Sequence, residues 1–172
     1  LIPLVGPSGA GKRQMAHILV LELDWNILDS GALDRTLADF MSENAINLDN
    51  FEENKELLKE RFKVSFDPGT PGEPVRVLFE NNDITSTVIT EEMAKLTSNL
   101  AAKPIIREFI KPAQRDLMKA PGLIADGRDM GTVIFSDAKY KIFLTASVEE
   151  RAKIRQTQMK RQGLEVNMAT AI

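Results

Sequence analysis

The chain has 172 residues, of which 43% are hydrophobic and 27% charged, and its net charge is −3. These values are typical of one globular domain with room for an inserted lobe, and they exclude a disordered tail and a collagen-like rod. The sequence has no cysteine and one histidine, which excludes a disulfide framework, a thiolate zinc site and a multi-histidine metal site. Without a basic surplus, an apolar run of about 18 residues or a secretory signal, we expect a cytoplasmic protein with neither nucleic-acid polymers nor membranes as partners.

The first sixty residues alternate between short apolar runs and helical patterns. The runs predict strands over 1–5 and 25–29, and the spacing of apolar residues predicts helices over 12–23, 30–44 and about 50–60. The second strand ends on Asp29. We expect Ser30 to cap the helix that follows it.

The middle of the chain has a different pattern. Residues 61–67 and 75–79 alternate apolar and polar side chains, and a connector rich in proline and glycine separates them. This predicts a small antiparallel β unit. Helices are expected to start at Thr90 and at Pro104, and Pro112 is expected to kink the second of them.

The last third of the chain returns to buried strands and helices. Residues 122–126 and 139–145 are predicted to form buried strands. Ser147 and Glu150 have the spacing of a capping box, at the start of a charged helix expected to end near Gln162. Strands that alternate with helices predict an α/β fold with a parallel sheet and helices on both faces.

A glycine-rich loop connects the first strand to the first helix and consists of Gly6, Pro7, Ser8, Gly9, Ala10, Gly11 and Lys12. The pattern G-x-x-x-x-G-K in this context predicts a phosphate-binding loop. Glycines let backbone N–H groups face phosphate oxygens, the helix N-terminus adds partial positive charge, and the lysine reaches the β and γ phosphates. The motif normally continues with a Ser or Thr hydroxyl for Mg²⁺, whereas Arg13 and Gln14 follow here.

Three segments together resemble the bacterial cytidylate kinase family: residues 6–12, 28–32 and 122–132, the last reading Gly-Leu-Ile-Ala-Asp-Gly-Arg-Asp-Met-Gly-Thr. The resemblance covers nearly the whole chain. It implies a monomeric P-loop kinase that uses ATP and Mg²⁺ to phosphorylate CMP or dCMP. It also implies a kinase core formed by 1–30 and 104–172, and a nucleoside-monophosphate-binding lobe over 31–103 with the β insertion at about 61–85.

The same resemblance implies roles for individual residues. The loop Gly6–Lys12 is expected to bind ATP, together with Arg151 and Arg155 of the last helix. The residues expected to bind the acceptor nucleotide are Asp29, Ser30, Arg35, Ser98, Arg107, Arg128 and Asp129. The expected catalytic residues are Lys12, Arg35 and Arg128, and Asp126 is expected to hold Mg²⁺ through water.

Physical arguments favour several of these roles. Arginine binds phosphate oxygens in a bidentate way, which suits Arg35 and Arg128 to an acceptor phosphate. A carboxylate such as Asp129 accepts a hydrogen bond from the amino group of cytosine, where uracil has an oxygen. Asp126 ends a predicted parallel strand, and ligands of open α/β sheets bind at such ends.

The sequence departs from the family pattern in ways that leave alternatives open. Asp34 stands where the family usually has tyrosine, and a carboxylate there is expected to repel an acceptor phosphate. We also expect that the sequence is not the complete natural chain, and that it lacks the arginine-rich lid that the family has beyond this point. Together with Arg13 and Gln14, these departures keep two alternatives: a P-loop kinase for another small acceptor, and a P-loop nucleotide-binding protein with impaired catalysis.

Overall fold

A computed structural model of the chain describes residues 1–161, with side chains to residue 157. Its strands are β1 Ile2–Val5, β2 Asn26–Asp29, β3 Val64–Asp67, β4 Arg76–Phe79, β5 Asn82–Asp83, β6 Leu123–Asp126 and β7 Ile142–Phe143. Its helices are α1 Lys12–Leu23, α2 Ser30–Glu43, α3 Phe51–Arg61, α4 Thr85–Val88, α5 Glu91–Ala101, α6 Pro104–Asp116 and α7 Val148–Arg161, with a π-helical turn at Met130–Ile134. No helix within residues 1–161 is long and apolar enough to cross a membrane.

The main sheet is parallel and has the strand order β2-β6-β1-β7. Its central strand β6 is buried on both faces, since Leu123, Ile124 and Ala125 are all fully buried. Ile124 packs with α1 on one face, whereas Leu123 and Ala125 pack with residues of α2, α3 and α6 on the other. This arrangement confirms the predicted parallel α/β sheet with helices on both faces.

The predicted antiparallel unit forms a second sheet, of order β3-β4-β5. Val64 pairs with Phe79 at one end of the β3-β4 ladder, and Asp67 pairs with Arg76 at the other. The Phe79 ring packs edge-on against Phe40 of α2, with ring centroids 5.4 Å apart. The unit is therefore held against the helices by the same apolar core that covers one face of the parallel sheet.

Two local predictions need correction. The segment 139–145 was expected to be a buried strand, but only Ile142–Phe143 pairs, at the edge of the sheet, and Phe143 is 67% exposed. Asp29, rather than Ser30, caps α2, because the helix already begins at Ser30. Pro112 lies inside helix α6, and the kink expected there stays a prediction. The predicted helix end near Gln162 lies outside the described residues.

Candidate active site

The phosphate-binding loop lies between the end of β1 and the start of α1. Gly11 precedes the helix with a φ of 84°, a left-handed conformation that favours glycine. The Lys12 Nζ folds back over the loop and donates to the Pro7 carbonyl oxygen at 2.9 Å. Burial lowers the pKa of Lys12, while the negative charge of Asp126 opposes that shift. The ammonium group is thus held directly over the loop whose N–H groups would bind phosphate.

Helix α7 packs against this loop. The backbone of Gly9 comes so close that a Cβ there would lie 3.3 Å from the Cβ of Arg151. The Arg151 Nε is buried and has no hydrogen-bond partner among the described residues. A buried donor without a partner is costly, so this position favours a bound anion. Arg155, one turn further along α7, is exposed and forms no ion pair in the described part of the chain.

Two carboxylates lie side by side at the ends of the parallel strands, because Asp29 of β2 pairs in register with Asp126 of β6. Asp29 Oδ1 accepts from the Ala32 backbone N–H at 3.0 Å, and its Oδ2 forms an ion pair with Arg13, 3.0 Å from Nη2. Asp29 therefore caps α2 and ties it to the first turn of α1. The sequence alone did not reveal this pairing.

Asp126 has no such partner. No ion pair of the described residues includes it. Burial, and then the negative charge of Asp29, raise its pKa to about 6, while the charges of Lys12 and Arg13 oppose the shift. Asp126 is thus a largely buried carboxyl group that gains from a nearby cation.

The start of α2 contacts the segment after β6. A Cβ on Gly127 would lie 2.4 Å from Ser30 Oγ, so only glycine allows this approach. Arg128 follows and is exposed, and its positive charge contributes to the lowered pKa of Lys12. The structure therefore brings Ser30 next to Gly127, and Arg128 close enough to Lys12 to act on its charge.

Arg35 lies one turn into α2 and is half-buried. Its Nη1 donates to the Val88 carbonyl oxygen at 3.3 Å, which ties the side chain to α4. Burial lowers the pKa of Arg35, and the charge of Arg13 acts in the same direction. The two guanidinium groups are thus close enough to repel each other, although Arg13 is paired with Asp29.

Arg107 of α6 forms an ion pair with Asp129, the residue after Arg128. These two residues are 22 positions apart in the sequence, and the fold places them together. Ser98 is different, because it is exposed on α5 and its hydroxyl donates to the Ala94 carbonyl oxygen of the same helix. It makes no hydrogen bond to another candidate residue in the described part of the chain.

Asp34 lies beside this ion pair, with Asp129 and Arg107 the charged groups that act most strongly on its carboxyl. Sequence reasoning placed Asp34 near the acceptor phosphate. The structure instead places it with the pair expected to contact the base. The sequence showed that Asp34 replaces the family's usual tyrosine, but it did not show which residues surround it.

A separate cavity of about 1090 Å³ opens between α3, α6 and the antiparallel sheet. Its walls include Lys55, Lys59, Phe62 and Phe109. None of the candidate site residues lines it, so the size of this cavity says nothing about the chemistry at the phosphate loop.

Comparison with known proteins identifies a family that the chain matches. The family model described as Cytidylate kinase matches residues 2–172. A cytidylate kinase of Shewanella frigidimarina is 45% identical over 168 residues, which cover 98% of this chain and 73% of that protein. A cytidylate kinase of Stutzerimonas stutzeri is 43% identical over 172 residues, which cover 100% of this chain and 75% of that protein.

A crystal structure from Thermus thermophilus aligns with 99% of this chain and 75% of its own, at 19% identity and a TM-score of 0.43, a score too low to support an argument. The family match and the curated relatives are much stronger, because they extend over nearly the whole chain at more than 40% identity. The family is consistent with the phosphate loop between β1 and α1 and with the candidate residues near the ends of β2 and β6. The chain therefore belongs to the cytidylate kinase family.

Proposed function

We propose that the protein is an ATP-dependent nucleoside monophosphate kinase that transfers the γ-phosphoryl group of ATP to CMP or dCMP, giving ADP and CDP or dCDP. The observation that carries this proposal is the gathering of the phosphate loop, Asp126 and the Arg107–Asp129 pair at one edge of the parallel sheet, in a chain of this family. The family also argues against the alternative of an unrelated small acceptor.

On the donor side, the loop N–H groups and Lys12 bind the ATP phosphates. Lys12 leaves the Pro7 carbonyl to do so, and its positive charge stabilises the negative charge that develops on the transferred group. Arg151 adds a second cation, and its unpartnered Nε supports a role beside the loop. Arg155 is exposed one turn further on and contacts the nucleotide only at its outer edge.

On the acceptor side, Arg35 and Arg128 bind the phosphate of CMP, next to Ser30 and Asp29 at the start of α2. Asp129 accepts a hydrogen bond from the cytosine amino group, and Arg107 and Ser98 complete the base site. A phosphate oxygen of the acceptor attacks the γ-phosphorus in line with the departing ADP oxygen, without a covalent enzyme intermediate. Lys12, Arg35 and Arg128 are the catalytic residues in this scheme.

The residues present can hold Mg²⁺, but they supply fewer ligands than the usual phosphate loop does. Asp126 is a carboxyl group without a protein cation in contact, which is the kind of ligand that hydrated Mg²⁺ takes together with nucleotide phosphates. The usual hydroxyl after the lysine is missing, since Arg13 and Gln14 follow it here. Asp126 would therefore hold the ion through water, and the ion would neutralise charge on the ATP phosphates.

The same proposal divides the chain into two parts. We propose that 1–30 and 104–172 form the kinase core, and that 31–103 form the lobe that holds the acceptor. The antiparallel sheet supports this division, because it interrupts the alternation of parallel strands and helices. We also propose that the protein works as a cytoplasmic monomer on small nucleotides.

The proposal is tested with a coupled ADP-release assay on the full chain, with ATP and Mg²⁺ and with CMP, dCMP, UMP or AMP as acceptor. We expect turnover with CMP and dCMP well above that with UMP and AMP. Turnover with AMP or UMP above CMP would contradict the proposed acceptor. ATP binding without turnover of any acceptor would instead support a nucleotide-binding protein with impaired catalysis.

A further inference from the structure

Helix α6 holds the π-helical turn Met130–Ile134 at two points, and only one of them has a role in the scheme above. At the first, Arg107 pairs with Asp129, the residue that precedes the turn. At the second, Arg115 Nη1 donates to the carbonyl oxygen of Ile134, the last residue of the turn, at 2.8 Å. The two arginines are separated by about 12 Å along the helix axis. One helix therefore contacts both ends of the segment that begins at Asp129.

The Ile134 carbonyl oxygen is the closer partner of Arg115. The other is Asp137, whose Oδ1 lies 4.0 Å from Nη2 and whose side chain is 77% exposed. Such an exposed pair contributes little. Ile134 is buried, and no other group in the described part of the chain donates to its carbonyl oxygen. Loss of the donor to a carbonyl in a buried residue is costly, so this hydrogen bond holds the end of the turn in place.

The backbone of the turn connects Arg115 to Asp129. The Asp129 carbonyl oxygen accepts from the N–H groups of Val133 at 2.9 Å and of Ile134 at 3.2 Å. Ile134 is thus bonded to Asp129 through its N–H and to Arg115 through its carbonyl oxygen. π-helical turns are rare and occur frequently at functional sites. Arg115 therefore stabilises the turn that sets the backbone position of Asp129.

The packing between these two contacts leaves the turn little freedom. Met130, Ile134 and Phe135 are buried in one cluster with Ile106 and Ile110 of α6. Close-packed interiors of this kind transmit strain. A displacement at the Arg115 end of the turn is therefore expected to move the end at Asp129.

We propose that Arg115 is a positioning residue for recognition of the acceptor base: through Ile134 and the π-helical turn, it holds the Asp129 carboxylate where that group accepts from the cytosine amino group. The inference rests on the proposed function, because it takes CMP or dCMP as the acceptor and Asp129 as the group that contacts the base. A change at Arg115 then weakens the preference for cytosine over uracil. It leaves the phosphate loop, which lies at β1 and α1, unaffected.

The test is isothermal titration calorimetry of CMP and UMP binding to the full chain, as wild type and as Arg115→Met, which keeps a long side chain without a donor. We expect the preference for CMP over UMP to fall by about tenfold in the variant, the scale of one hydrogen bond to a charged group. ADP affinity, titrated separately, should not change appreciably. An equal loss of CMP and UMP affinity would contradict the inference, because it would show a general loss of structure.

Two further variants separate positioning from packing. Arg115→Lys keeps a charged donor but not the fork of the guanidinium, so it should recover part of the preference lost in Arg115→Met. The same loss in both variants would show that the hydrogen bond is not the cause. Arg61→Met is the matched control, since Arg61 is a similarly exposed arginine that pairs with Glu80 at the separate cavity. It should keep the wild-type preference.

A measurement on wild type does not depend on the folding of any variant. Hydrogen–deuterium exchange reports how often the N–H groups of Val133 and Ile134 leave the Asp129 carbonyl oxygen. At equal saturation, CMP should slow their exchange more than UMP does, because cytosine binds the Asp129 carboxylate and uracil does not. Equal exchange in the two complexes would count against the inference.

Urea unfolding of the variants completes the test. A lower free energy of unfolding in Arg115→Met, with an unchanged preference for CMP, would give Arg115 a structural role only and overturn the inference. A wild type without a preference for CMP would overturn both the inference and the proposed acceptor. Binding with the expected preference, but without turnover of CMP in the ADP-release assay, would contradict the kinase proposal alone. The two failures can therefore be told apart.

Discussion

Gln14 is the residue at which this site departs most clearly in chemistry from other phosphate loops. It lies on the exposed side of α1, two positions after Lys12, and neither it nor Arg13 brings the hydroxyl that the motif has after the lysine. The side-chain oxygen of glutamine is two bonds further from the backbone than that of threonine, so it cannot take the same place at an ion beside the loop. The loop itself keeps its glycines and its lysine, so phosphate binding depends less on this position than phosphoryl transfer does.

We therefore expect Gln14→Thr to raise kcat with CMP by about tenfold, which corresponds to about 1.4 kcal/mol of barrier, with little change in ATP affinity. The measurement is steady-state kinetics at saturating Mg²⁺, with ATP affinity from a separate titration. Gln14→Val is the matched control, since valine has the shape of threonine without the hydroxyl. An equal gain in both variants would show that the hydroxyl is not the cause.

At the scale of elements, the start of α2 depends on a single carboxylate. Asp29 accepts from the Ala32 N–H through one oxygen and forms an ion pair with Arg13 through the other. The two interactions can be separated, because asparagine keeps an oxygen for the cap but loses the negative charge.

Asp29→Ala is expected to lower the free energy of unfolding by about 0.5–2 kcal/mol through loss of the cap. Asp29→Asn should lower it by less, since a surface ion pair contributes roughly 0–1 kcal/mol. Urea unfolding followed by circular dichroism measures both. If asparagine costs as much as alanine, the ion pair rather than the cap stabilises this helix start.

Helix α3 offers a comparison between two adjacent leucines. Leu58 is fully buried in the core that joins α2, α3 and α6, whereas Leu57 is 39% exposed. Leu58→Ala should lower the free energy of unfolding by about 2–5 kcal/mol, because it leaves a cavity. Leu57→Ala should cost well under half as much. Similar losses in urea unfolding would mean that α3 is packed differently from the structure described here.

The limits of sequence reasoning are visible in these elements. The strand, loop and helix around residues 6–12 were predicted correctly because they are contiguous in the chain. The cap of α2 was misplaced by one residue, since Asp29 and Ser30 are both good caps and only the backbone conformation decides between them. The segment 139–145 looks like a buried strand, but its burial depends on where the strand lies in the sheet, and β7 is at the edge.

At the scale of the whole molecule, the sequence also could not predict which charged residues lie together. Asp34 and Asp129 are brought together by the packing of α2 beside the segment after β6, which no local pattern reveals. The residues of the site could be named from the family motifs. Their pairings, Arg13 with Asp29 and Arg107 with Asp129, required the fold.

Two buried carboxyl groups also shape the stability of the whole chain. The pKa of Asp34 is about 7 and that of Asp126 about 6 in the folded chain, against an ordinary value of 3.8. The folded chain therefore binds these protons more tightly than the unfolded chain does. Their contribution to the free energy of unfolding is favourable at low pH and is lost as pH rises from 3.8 to about 7.

We expect Asp34→Asn to stabilise the protein more at about pH 8 than at about pH 5, because each unit of raised pKa costs about 1.4 kcal/mol once the group is ionised. Urea unfolding at the two pH values measures this. Asp49→Asn, at an exposed position, is the control and should change neither value appreciably. An equal effect of Asp34→Asn at both pH values would show that Asp34 ionises as easily in the folded chain as in the unfolded one.

The pair formed by Arg13 and Asp29 joins the first turn of the helix after the phosphate loop to the first turn of the helix that carries Arg35. In the proposed function α1 follows the ATP loop and α2 carries an acceptor residue, so this contact connects the two proposed nucleotide sites. Thermodynamic reciprocity applies to any such connection: the factor by which ATP changes the affinity for CMP equals the factor by which CMP changes the affinity for ATP. Coupling through this guanidinium–carboxylate contact would therefore act equally in both directions.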